Sequence, residues 1–544
     1  MVVLVSSYPS KQMSYSIPEN CSGCGTCQTD CPTDAIKQVE GQLWIDPTLC
    51  NHCEGFYPEP LCVVQCPISC PVPLQPKKGR YKATVRMPTS PDIFLNGKNN
   101  PFASSMVVWE ACNLLTSASQ VPWQLNAQGQ PYYERTVKQG GGAIVFRLTD
   151  DIESDSPKIL EQEAALAAIE GIDIRSACLH LIYAAYATTV DRPWEQEFVI
   201  SDRQIEQYLG LDKRKDLSKA TKLTLIKALA QQPCQILTSI DWPQQGQVRG
   251  FSVPEDRLWH LLNIKHHFQK DTEGNKYLTG LTFTVKAGAW AQYFLNKNDY
   301  RKRTAFYQYG TLPKFLLSSV MSIWQQHIGA ARMMLWLLFK AKMGRKQCIT
   351  IPTLMRVAYG EEKMSQASLH SENRKRLIRC FESDLEVLNH YGLKPLFDAT
   401  TYVPEIQPLW AKLAELPDDA EEALDFWIND GSQDQRLTDS SPRGKWNRLM
   451  KARISWFNLP PEWEQQLAKL DKKKTNRIAR KTPTSTPMGL SANQIANARK
   501  RQGISQRLLA EMAGKSQSWI RDLEKGRFSA KPKDEAMLRK VLGI

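Results

Sequence analysis

The chain has 544 residues, more than the ~250 to 300 at which a single hydrophobic core stops growing, so we expect three or more units. A hydrophobic fraction of 42% with a mean hydropathy of −0.42 indicates a soluble protein with real cores. The longest notable apolar run, Met333 to Phe339, is far shorter than the ~20 residues that a membrane span requires, and the N-terminus lacks a signal-peptide pattern. The composition therefore predicts a cytoplasmic protein that does not engage a membrane.

Cysteines concentrate near the N-terminus, where nine of the 14 lie between Cys21 and Cys70. The first four follow the spacing C-x2-C-x2-C-x3-C-P and end at Cys31, and the next four follow C-x2-C-x8-C-x3-C-P and end at Cys66. Disulfides would require an oxidising compartment, to which nothing in the sequence points. Zinc is the other alternative, but its usual sites are paired C-x2-C units holding one four-ligand ion. Three closely spaced thiolates with a fourth from elsewhere instead favour iron–sulfur clusters.

Both cysteine sets resemble those of bacterial two-[4Fe-4S] ferredoxins, down to the CPTDAI at the end of the first set. In such ferredoxins the cysteine before proline ligates the other cluster, so the resemblance implies two [4Fe-4S] clusters with crossed ligands. It assigns Cys21, Cys24, Cys27 and Cys66 to cluster 1, and Cys31, Cys50, Cys53 and Cys62 to cluster 2. It also implies a pseudo-twofold β-α-β fold over 1–75, in which Ala35, Ile36 and Ile68 keep the clusters dry. Cys70 has no place in this set of eight ligands. It is interpreted as a spare thiol or an alternative ligand.

The middle of the chain follows a linker at 71–80 and reads as ordinary globular sequence. Within 81–310 the pattern predicts a helix over 173–188, a short helix capped by Ser201, a helix over 217–230, and β-strands at 234–240 and 278–285. Three helices followed by a hairpin is the layout of a winged helix. A weaker second copy in 311–470 has helices near 316–340, after Pro352 and over 372–390. Tandem winged helices resemble plasmid replication initiators; a mixed α/β, mostly helical scaffold is the alternative.

No catalytic motif stands out in this middle region. We find no P-loop, and the triple glycine Gly140 to Gly142 precedes a β-like run instead of a helix, so it does not suit a phosphate-binding loop. The adjacent His266 and His267 lack helical ligand spacing and are interpreted as surface or packing residues. We therefore predict that the protein is not an enzyme.

Positive charge is concentrated at the C-terminus. From Lys472 to Ile544 there are 18 Lys/Arg and 5 Asp/Glu, a net charge of +13 out of the +14 of the whole chain. A basic, Thr/Pro-rich stretch predicts a flexible linker at 471–490. After it, Ser491 with Gln494 predicts a capping box, and Ser505 and Ser516 predict the caps of the next two helices.

Residues 491–544 closely resemble the Cro/repressor type of helix-turn-helix domain, with Gly514 in the turn and Ile520 and Leu523 facing inward. That family places the N-terminal part of the second helix in the major groove. The resemblance puts Gln517, Ser518, Arg521 and Asp522 at base edges, and Gln506, Lys515, Lys525 and Arg527 near phosphates. A helix-turn-helix used only for protein docking is the alternative, but the local charge favours DNA.

The order of parts resembles the cyanobacterial PatB/CnfR-type regulators of nitrogen-fixation genes, whose specific motifs cover about 110 residues at the two ends of this chain. The resemblance implies an oxygen- or redox-responsive activator acting under low oxygen. It implies double-stranded promoter DNA, RNA polymerase and an electron donor or acceptor as partners, and a homodimer on an inverted repeat. Two other classes stay open: a ferredoxin-coupled oxidoreductase with accessory DNA binding, and a replication-initiator-like DNA-binding protein with structural clusters.

The predicted fold class is multidomain. It combines an α+β ferredoxin-like N-terminal domain, a mixed α/β and mostly helical middle, and an all-α C-terminal domain. The predicted boundaries are 1–75, 81–310, 311–470, the linker 471–490, and 491–544.

Overall fold

The computed structural model describes most of the chain outside its N-terminus and its basic linker. The described residues are 15–17, 21–39, 42–46, 49–50, 53, 56–57, 59–68, 70–73, 88–137, 141–152, 154, 157–270, 276–343, 347–414, 421–422, 424–425, 428, 442–461, 463–465, 490–528, 530 and 532–543. The first 14 residues, residues 74–80 of the first predicted linker and residues 471–489 of the second lie outside them.

The chain divides into two compact units, residues 1–464 and 465–544. Both helices and sheets build the first unit, whereas the described elements of the second are all helices. Within the described residues, no helix is long and apolar enough to cross a membrane.

The N-terminal segment of the first unit repeats a strand–helix–strand pattern twice. Its elements are β1 (Tyr15–Ser16), α1 (Thr26–Thr29), β2 (Ile36–Val39), β3 (Gln42–Ile45), α2 (Leu61–Val64) and β4 (Val72–Pro73). β2 and β3 form an antiparallel hairpin, and β1 pairs with β4, so the first and last strands of the segment meet. This is the pseudo-twofold arrangement that the ferredoxin resemblance implies.

The next part contains a helical layer and two sheets. Its elements are β5 (Asn99–Ala103), α3 (Met106–Ser117), β6 (Gln124–Leu125), β7 (Pro131–Val137), β8 (Gly142–Leu148), α4 (Gln162–Glu170), α5 (Ser176–Tyr186), β9 (Phe198–Ser201), α6 (Asp202–Leu209), α7 (Lys219–Gln231), β10 (Ile236–Trp242), β11 (Phe251–Arg257), β12 (Trp259–Lys270), β13 (Lys276–Ala287), α8 (Trp290–Phe294) and α9 (Lys297–Lys302). One sheet has the order β11-β10-β8-β7-β6 and the other β12-β13-β9.

The remaining part of the first unit is mostly helical. Its elements are β14 (Tyr309–Pro313), α10 (Lys314–Ile323), α11 (Ile328–Met343), β15 (Ile349–Thr350), α12 (Ile351–Leu369), α13 (Ser371–His390), β16 (Lys394–Phe397), α14 (Leu409–Leu413), α15 (Lys445–Leu449) and β17 (Arg453–Asn458). β14 pairs with β5, and a second small sheet has the order β15-β17-β16.

Two stretches of the first unit share one topology. The first repeat runs α5, β9, α6, α7 and the β12–β13 hairpin, and the second runs α11, β15, α12, α13 and the β16–β17 hairpin. In both, the short first strand pairs with the last strand, which therefore lies at the centre of its sheet. The first repeat carries the extra β10–β11 hairpin, and α12 of the second is kinked at Gly360, where φ is 84°.

The sequence sets the junction between strand and helix in each repeat. Ser201 ends β9, accepts a hydrogen bond from the backbone of Gln204, and forms a capping box that starts α6. Thr350 ends β15 and accepts the corresponding bond from Thr353 at the start of α12. Because a capping side chain satisfies N–H groups that lack an intrahelical partner, both helices begin directly at the end of their strands.

The second unit contains four described helices. They are α16 (Ala492–Arg501), α17 (Gln506–Met512), α18 (Gln517–Glu524) and α19 (Pro532–Leu542). The predicted capping box of Ser491 and Gln494 is present, and Ser505 and Ser516 cap α17 and α18. Gly514 turns the chain between α17 and α18 with a φ of 57°. The core of the unit consists of Ile495, Ala498, Leu509, Ala510, Ala513, Ile520, Leu523, Leu538 and Leu542.

Candidate iron–sulfur and DNA-binding sites

The first of two cysteine-lined cavities, cavity 1, draws on both halves of the N-terminal segment. Three of its cysteines come from the α1 loop, and Cys66 and Cys70 come from the chain after α2. Its lining comprises Ile17, Cys21, Ser22, Cys24, Thr26, Cys27, Leu43, Cys66, Cys70 and Pro71, around about 320 Å³ of space that includes its open mouth. The structure thus brings together the four cysteines predicted for cluster 1 and adds a fifth.

The second cavity, cavity 2, is built in the opposite sense. Its lining comprises Cys31, Thr33, Ala35, Ile36, Ile45, Cys50, Cys53, Pro60, Leu61 and Cys62, around about 330 Å³. Cys31 comes from the first cysteine set and the other three cysteines come from the second. The four cysteines predicted for cluster 2 therefore share one cavity, although their ligation of iron stays a prediction.

Backbone conformation shapes the two cysteine loops differently. Gly23 and Gly25 have φ angles of 69° and 77°, the left-handed region that glycine enters without steric cost. They lie between Cys21 and Cys27 and turn that loop around cavity 1. In the second loop Cys53 itself takes a positive φ of 60°, which is uncommon for a residue with a side chain.

Backbone N–H groups point at cysteine sulfurs in both cavities. Ala35 donates from its backbone to Cys31 Sγ at 3.3 Å, and Cys70 donates from its backbone to Cys66 Sγ at 3.1 Å. Leu61 donates in the same way to Cys53 Sγ at 3.4 Å. Such hydrogen bonds orient thiolate ligands and tune the reduction potential of an iron–sulfur cluster. The donor set therefore suits a cluster held by thiolates.

The same pattern explains Cys70, whose place the sequence left open. Cys70 follows Cys66 by four residues, as Ala35 follows Cys31, and each makes the equivalent N–H···S bond. Both side chains are buried, Cys70 in the wall of cavity 1 and Ala35 in the wall of cavity 2. The equal spacing in the two cysteine sets is the sequence signal that could have revealed this equivalence.

The thiol groups in the cavities disfavour deprotonation of one another. Burial raises the pKa of Cys62 to about 12, with further increases from Cys50 and Cys53. Burial also raises the pKa of Cys27, with contributions from Cys21 and Cys24. Four thiolates in so small a space require a cationic centre between them, as an iron–sulfur cluster provides.

Apolar residues shield the cavities only in part as predicted. Ala35 and Ile36 are fully buried between the two cysteine sets, as expected. The prediction for Ile68 is wrong, because its side chain is 50% exposed. The residue that matches Ala35 in the second half is Cys70, which is buried in the same core as Ala35 and Ile36.

The wall of cavity 2 contacts the middle of the chain. The carboxylate of Asp46, directly after β3, forms a 2.6 Å ion pair with Lys227 of α7, and both side chains are largely buried. Next to it, the ring of Trp44 packs against His266 and Phe268 of β12, with centroid distances of 4.9 and 5.4 Å. No sequence pattern signalled this interface between the cysteine segment and the first repeat.

Two backbone bonds connect Asp46 to cavity 2. Its N–H donates to the Ala35 carbonyl at 2.7 Å, and its carbonyl accepts from the N–H of Cys50 at 3.0 Å. Ala35 and Cys50 both line cavity 2. A change at Cys50 therefore reaches the Lys227 ion pair through one residue.

In the second unit, α18 presents three of the predicted base-contacting residues on its exposed side. Gln517, Ser518 and Arg521 are exposed, while Ile520 and Leu523 on the opposite side are buried in the core. Trp519 is half-buried against that core, with its ring 5.6 Å from Phe528. α18 follows α17 through the short Gly514 turn, as the second helix of a helix-turn-helix does.

The other predicted DNA contacts also make internal bonds. Lys515 lies 2.8 Å from Asp534, and Asp522 pairs with Arg521 and Arg527 at 3.3 and 3.0 Å. Lys525 is exposed. Within the domain, Gln506 donates to Glu524 at 2.7 Å, and Glu524 also pairs with Arg499 at 2.6 Å. Burial of Glu524 opposes its ionisation, but the bonds from Arg499 and Gln506 hold its pKa below the usual range.

Family models match the two ends of the chain. A model described as a 4Fe-4S binding domain matches residues 15–37, and a helix-turn-helix model matches residues 495–543. The second cysteine set lies outside the first of these matches. The cavities and the helix-turn-helix thus define a protein that binds a [4Fe-4S] cluster and DNA, with the architecture of an iron–sulfur DNA-binding regulator.

Several ferredoxins are similar to the N-terminal segment. Over 58 residues the chain is 43% identical to Ferredoxin-1 of Chlorobaculum tepidum, covering 11% of this chain and 94% of that protein. Through this segment the chain belongs to the ferredoxin family. It is 41% identical to Ferredoxin Fdx2 of Sorangium cellulosum over 61 residues, covering 11% of this chain and 60% of that protein.

A further relative is the ferredoxin-like protein in the nif region of a Nostoc species. It is 46% identical over 57 residues, which are 10% of this chain and 49% of that protein, so the chain spans about half the relative's length. A crystal structure of domains 2 and 3 of RctB covers 53% of this chain and 94% of its own, at 11% identity and a TM-score of 0.26, a likeness too low to bear on the fold.

Proposed function

We propose that the protein is a transcriptional regulator whose binding of promoter DNA depends on two [4Fe-4S] clusters. Cys21, Cys24, Cys27 and Cys66 hold one cluster, and Cys31, Cys50, Cys53 and Cys62 hold the other. The observation that carries the proposal is the separation of these residues into two cavities, each with three cysteines from one set and one from the other, within a chain that also has a helix-turn-helix. The protein acts by binding and not by catalysis.

The chain itself offers a route from cavity 2 to the rest of the first unit. When bound, a [4Fe-4S] cluster supplies one-electron chemistry and sensitivity to oxygen. Cys50, held at the cavity, fixes the carbonyl of Asp46 at 3.0 Å, and Asp46 holds Lys227 of α7. Release of Cys50 removes one of three backbone hydrogen bonds that hold Asp46 and thereby weakens the contact between the cysteine segment and the first repeat. Reduced, intact sites thus maintain the conformation that binds DNA.

The DNA contacts lie on the second unit. Gln517, Ser518 and Arg521 read base edges, and their exposure on one helix supports that role. Asp522 adjusts the positions of Arg521 and Arg527, with which it pairs. Gln506, Lys515, Lys525 and Arg527 approach phosphates. The protein binds an inverted repeat as a homodimer and contacts RNA polymerase from the promoter.

The targets are nitrogen-fixation genes, activated in the cytoplasm under low oxygen. The PatB/CnfR-type resemblance suggests this role, and the similarity to ferredoxin-like proteins of nif regions supports it. A redox partner that donates or accepts electrons is part of the same proposal.

The middle region comprises two winged helices within 81–310 and 311–470. The shared order of helix, strand, two helices and hairpin supports this assignment. The proposed boundaries of the outer parts are 1–75 for the cluster domain, 471–490 for the linker and 491–544 for the DNA-binding domain.

The first experiment is anaerobic purification followed by binding to upstream regions, with iron and sulfide counted before and after exposure to air. We expect about eight irons per chain, from two four-iron clusters, and loss of promoter binding as they leave. Promoter binding that survives complete iron loss would refute the coupling between clusters and DNA.

A further inference from the structure

The last helices of the two repeats, α7 and α13, differ in the exposure and pairing of the basic residues in their N-terminal halves. In the second repeat, α13 packs Leu377, Phe381 and Leu385 into the core and turns the opposite face outward. On that outer face Arg376 and Arg379 are exposed, one turn apart. α13 is therefore anchored along its length while its N-terminal half stays accessible.

Charge on this half of α13 is one-sided. The nine residues from Ser371 to Arg379 hold four basic side chains and one acidic one, a net charge of +3. Arg374 bends back to the carbonyls of Ala367 and Ser368, where it fixes the end of α12 against the start of α13. Lys375 pairs with Glu372, the one acidic residue. Both Arg376 and Arg379 are exposed, and the charge of Arg379 contributes only the smallest of the effects that lower the pKa of Glu372.

In the first repeat, the basic side chains in the corresponding half of α7 are buried or form ion pairs within the protein. Lys219 pairs with Asp202 at 2.6 Å and also with Glu206. Lys222 is buried at 9% exposure, and further along α7, in its C-terminal half, Lys227 pairs with Asp46 of the cysteine segment. The two helices hold equivalent places in the topology, so the difference lies in the residues and not in the fold.

We infer that the N-terminal half of α13 is a second surface for double-stranded DNA, separate from α18. It is the second of two consecutive helices joined by a very short turn, and the N-terminal half of such a helix is the part that reaches base edges. A helix with its side chains is about 10 to 12 Å wide, which matches a major groove of about 12 Å. Arginine bonds guanine bidentately and neutralises phosphate, and Asn373, also exposed, suits adenine.

This inference extends the proposed function and does not depend on the clusters. Two DNA-binding elements in one chain raise the effective concentration of each at the promoter once the other is bound. The surface on α13 thereby adds to the affinity for DNA, and together with α18 it contacts a longer stretch of DNA than α18 does alone.

The test measures the affinity of the anaerobic full chain for a short duplex of unrelated sequence as the salt concentration rises. The variant Arg376→Ala/Arg379→Ala is compared with the control Arg192→Ala/Arg301→Ala, which removes two exposed arginines outside the helix pairs. Each lost phosphate contact lowers the slope of log K against log salt by about 0.9, so we expect a decrease of about 2 for the α13 variant and none for the control.

Two further variants separate DNA contact from folding and from the helix-turn-helix. Arg376→Lys/Arg379→Lys keeps both charges, so its salt slope should match that of the unmodified chain. In a Gln517→Ala/Arg521→Ala background, residual DNA binding should persist and disappear when the α13 alanines are added. An equal slope in the α13 and control variants, or a lysine variant as weak as the alanine variant, would overturn the inference. Failure of the proposed function would appear separately, as promoter binding that is unchanged after exposure to air and loss of iron.

Discussion

Cavity 1 and cavity 2 share a local plan but have different surroundings. Each takes three cysteines from one half of the segment and one from the other, and each receives an N–H···S bond from the residue four positions after its crossed cysteine. In cavity 1 that residue is Cys70, and in cavity 2 it is Ala35. Behind cavity 2, Asp46 and Trp44 contact α7 and β12. The cysteine motif therefore determines which ligands each cavity offers. The residues around a cavity determine whether a change in it reaches the rest of the first unit.

The largest expected effect comes from removing one ligand of each cavity separately. Cys62→Ser and Cys66→Ser should each reduce the iron content from about eight to about four atoms per chain, since each removes a ligand of one of the two proposed four-iron sites. Only Cys62→Ser should also loosen the interface at Lys227, because only cavity 2 connects to Asp46 through Cys50. Hydrogen exchange of the α7 backbone measures the difference.

The two serine variants serve as controls for each other. If Cys66→Ser accelerates exchange in α7 as much as Cys62→Ser does, the clusters act through the stability of the whole segment. If neither accelerates it, Asp46 does not carry the signal.

The next prediction concerns the ion pair between Asp46 and Lys227, which can be removed without changing a cysteine. Asp46→Asn leaves the Lys227 ammonium buried without a carboxylate, which costs about 3 to 5 kcal/mol while the segment stays docked. We expect both clusters to remain and α7 and β12 to exchange faster. The matched control is Asp34→Asn, whose partner Lys37 is exposed, so about 0 to 1 kcal/mol is lost there.

A double variant tests whether the charge is the cause. Asp46→Asn/Lys227→Met removes both charged groups, and replacing a buried pair by uncharged residues is often nearly neutral. The double variant should therefore recover most of the protection lost in Asp46→Asn. Equal exchange in the single and double variants would argue that backbone strain near Cys50 and not charge is responsible.

The sequence predicts the cavities far better than their surroundings, for a physical reason. Thiolate spacing is a local property, since three cysteines within seven residues can reach one small object wherever the segment lies. The caps at Ser491 and Ser505 are equally local, and both are present. The bond between Asp46 and Lys227 joins residues 181 positions apart, and no periodicity carries that information.

The family resemblance gives a wrong prediction for one residue of the cysteine segment. The ferredoxin resemblance implies that Ile68, shortly after the Cys66–Pro67 pair, helps to keep the clusters dry, yet its side chain is half exposed. The position four residues after the crossed cysteine is the buried one, and aligning the two cysteine sets by that residue would have identified Cys70. In the middle region, the shared topology of the repeats depends on strand pairing between distant segments, which sequence patterns only suggest.

A change in pH should have a smaller effect on the packing of the cysteine segment against β12, at the interface behind cavity 2. The pKa of His266 is lowered to about 4, chiefly by burial and then by the charge of Lys227, with a small decrease from His267; Asp46 and a backbone hydrogen bond with Ile264 raise it in part. The undocked imidazole titrates near ~6.5. Between these two pKa values the protein binds more protons when the cysteine segment is released from β12 than when it packs there. The packing of the segment against β12 is therefore fully stable above about pH 6.5 and weakens as the pH falls toward 4.

Exchange of β12 measured across that range checks this prediction, with His266→Phe as the control. Phenylalanine keeps a ring against Trp44 but cannot be protonated, so the pH dependence of exchange should flatten. A His266→Phe variant that retains the full dependence would assign the titration to another group.

The smallest expected effect is at Cys70, where the two halves of the segment can be made alike. Cys70→Ala installs the residue that occupies the equivalent position beside cavity 2, and the backbone N–H that donates to Cys66 is retained. Loss of one small buried side-chain atom should cost about 1 kcal/mol in the free energy of unfolding, and both clusters should assemble. Iron counts with thermal unfolding measure this, and Cys66→Ser provides the contrast. Loss of about four irons in Cys70→Ala would instead make Cys70 a ligand and break the equivalence with Ala35.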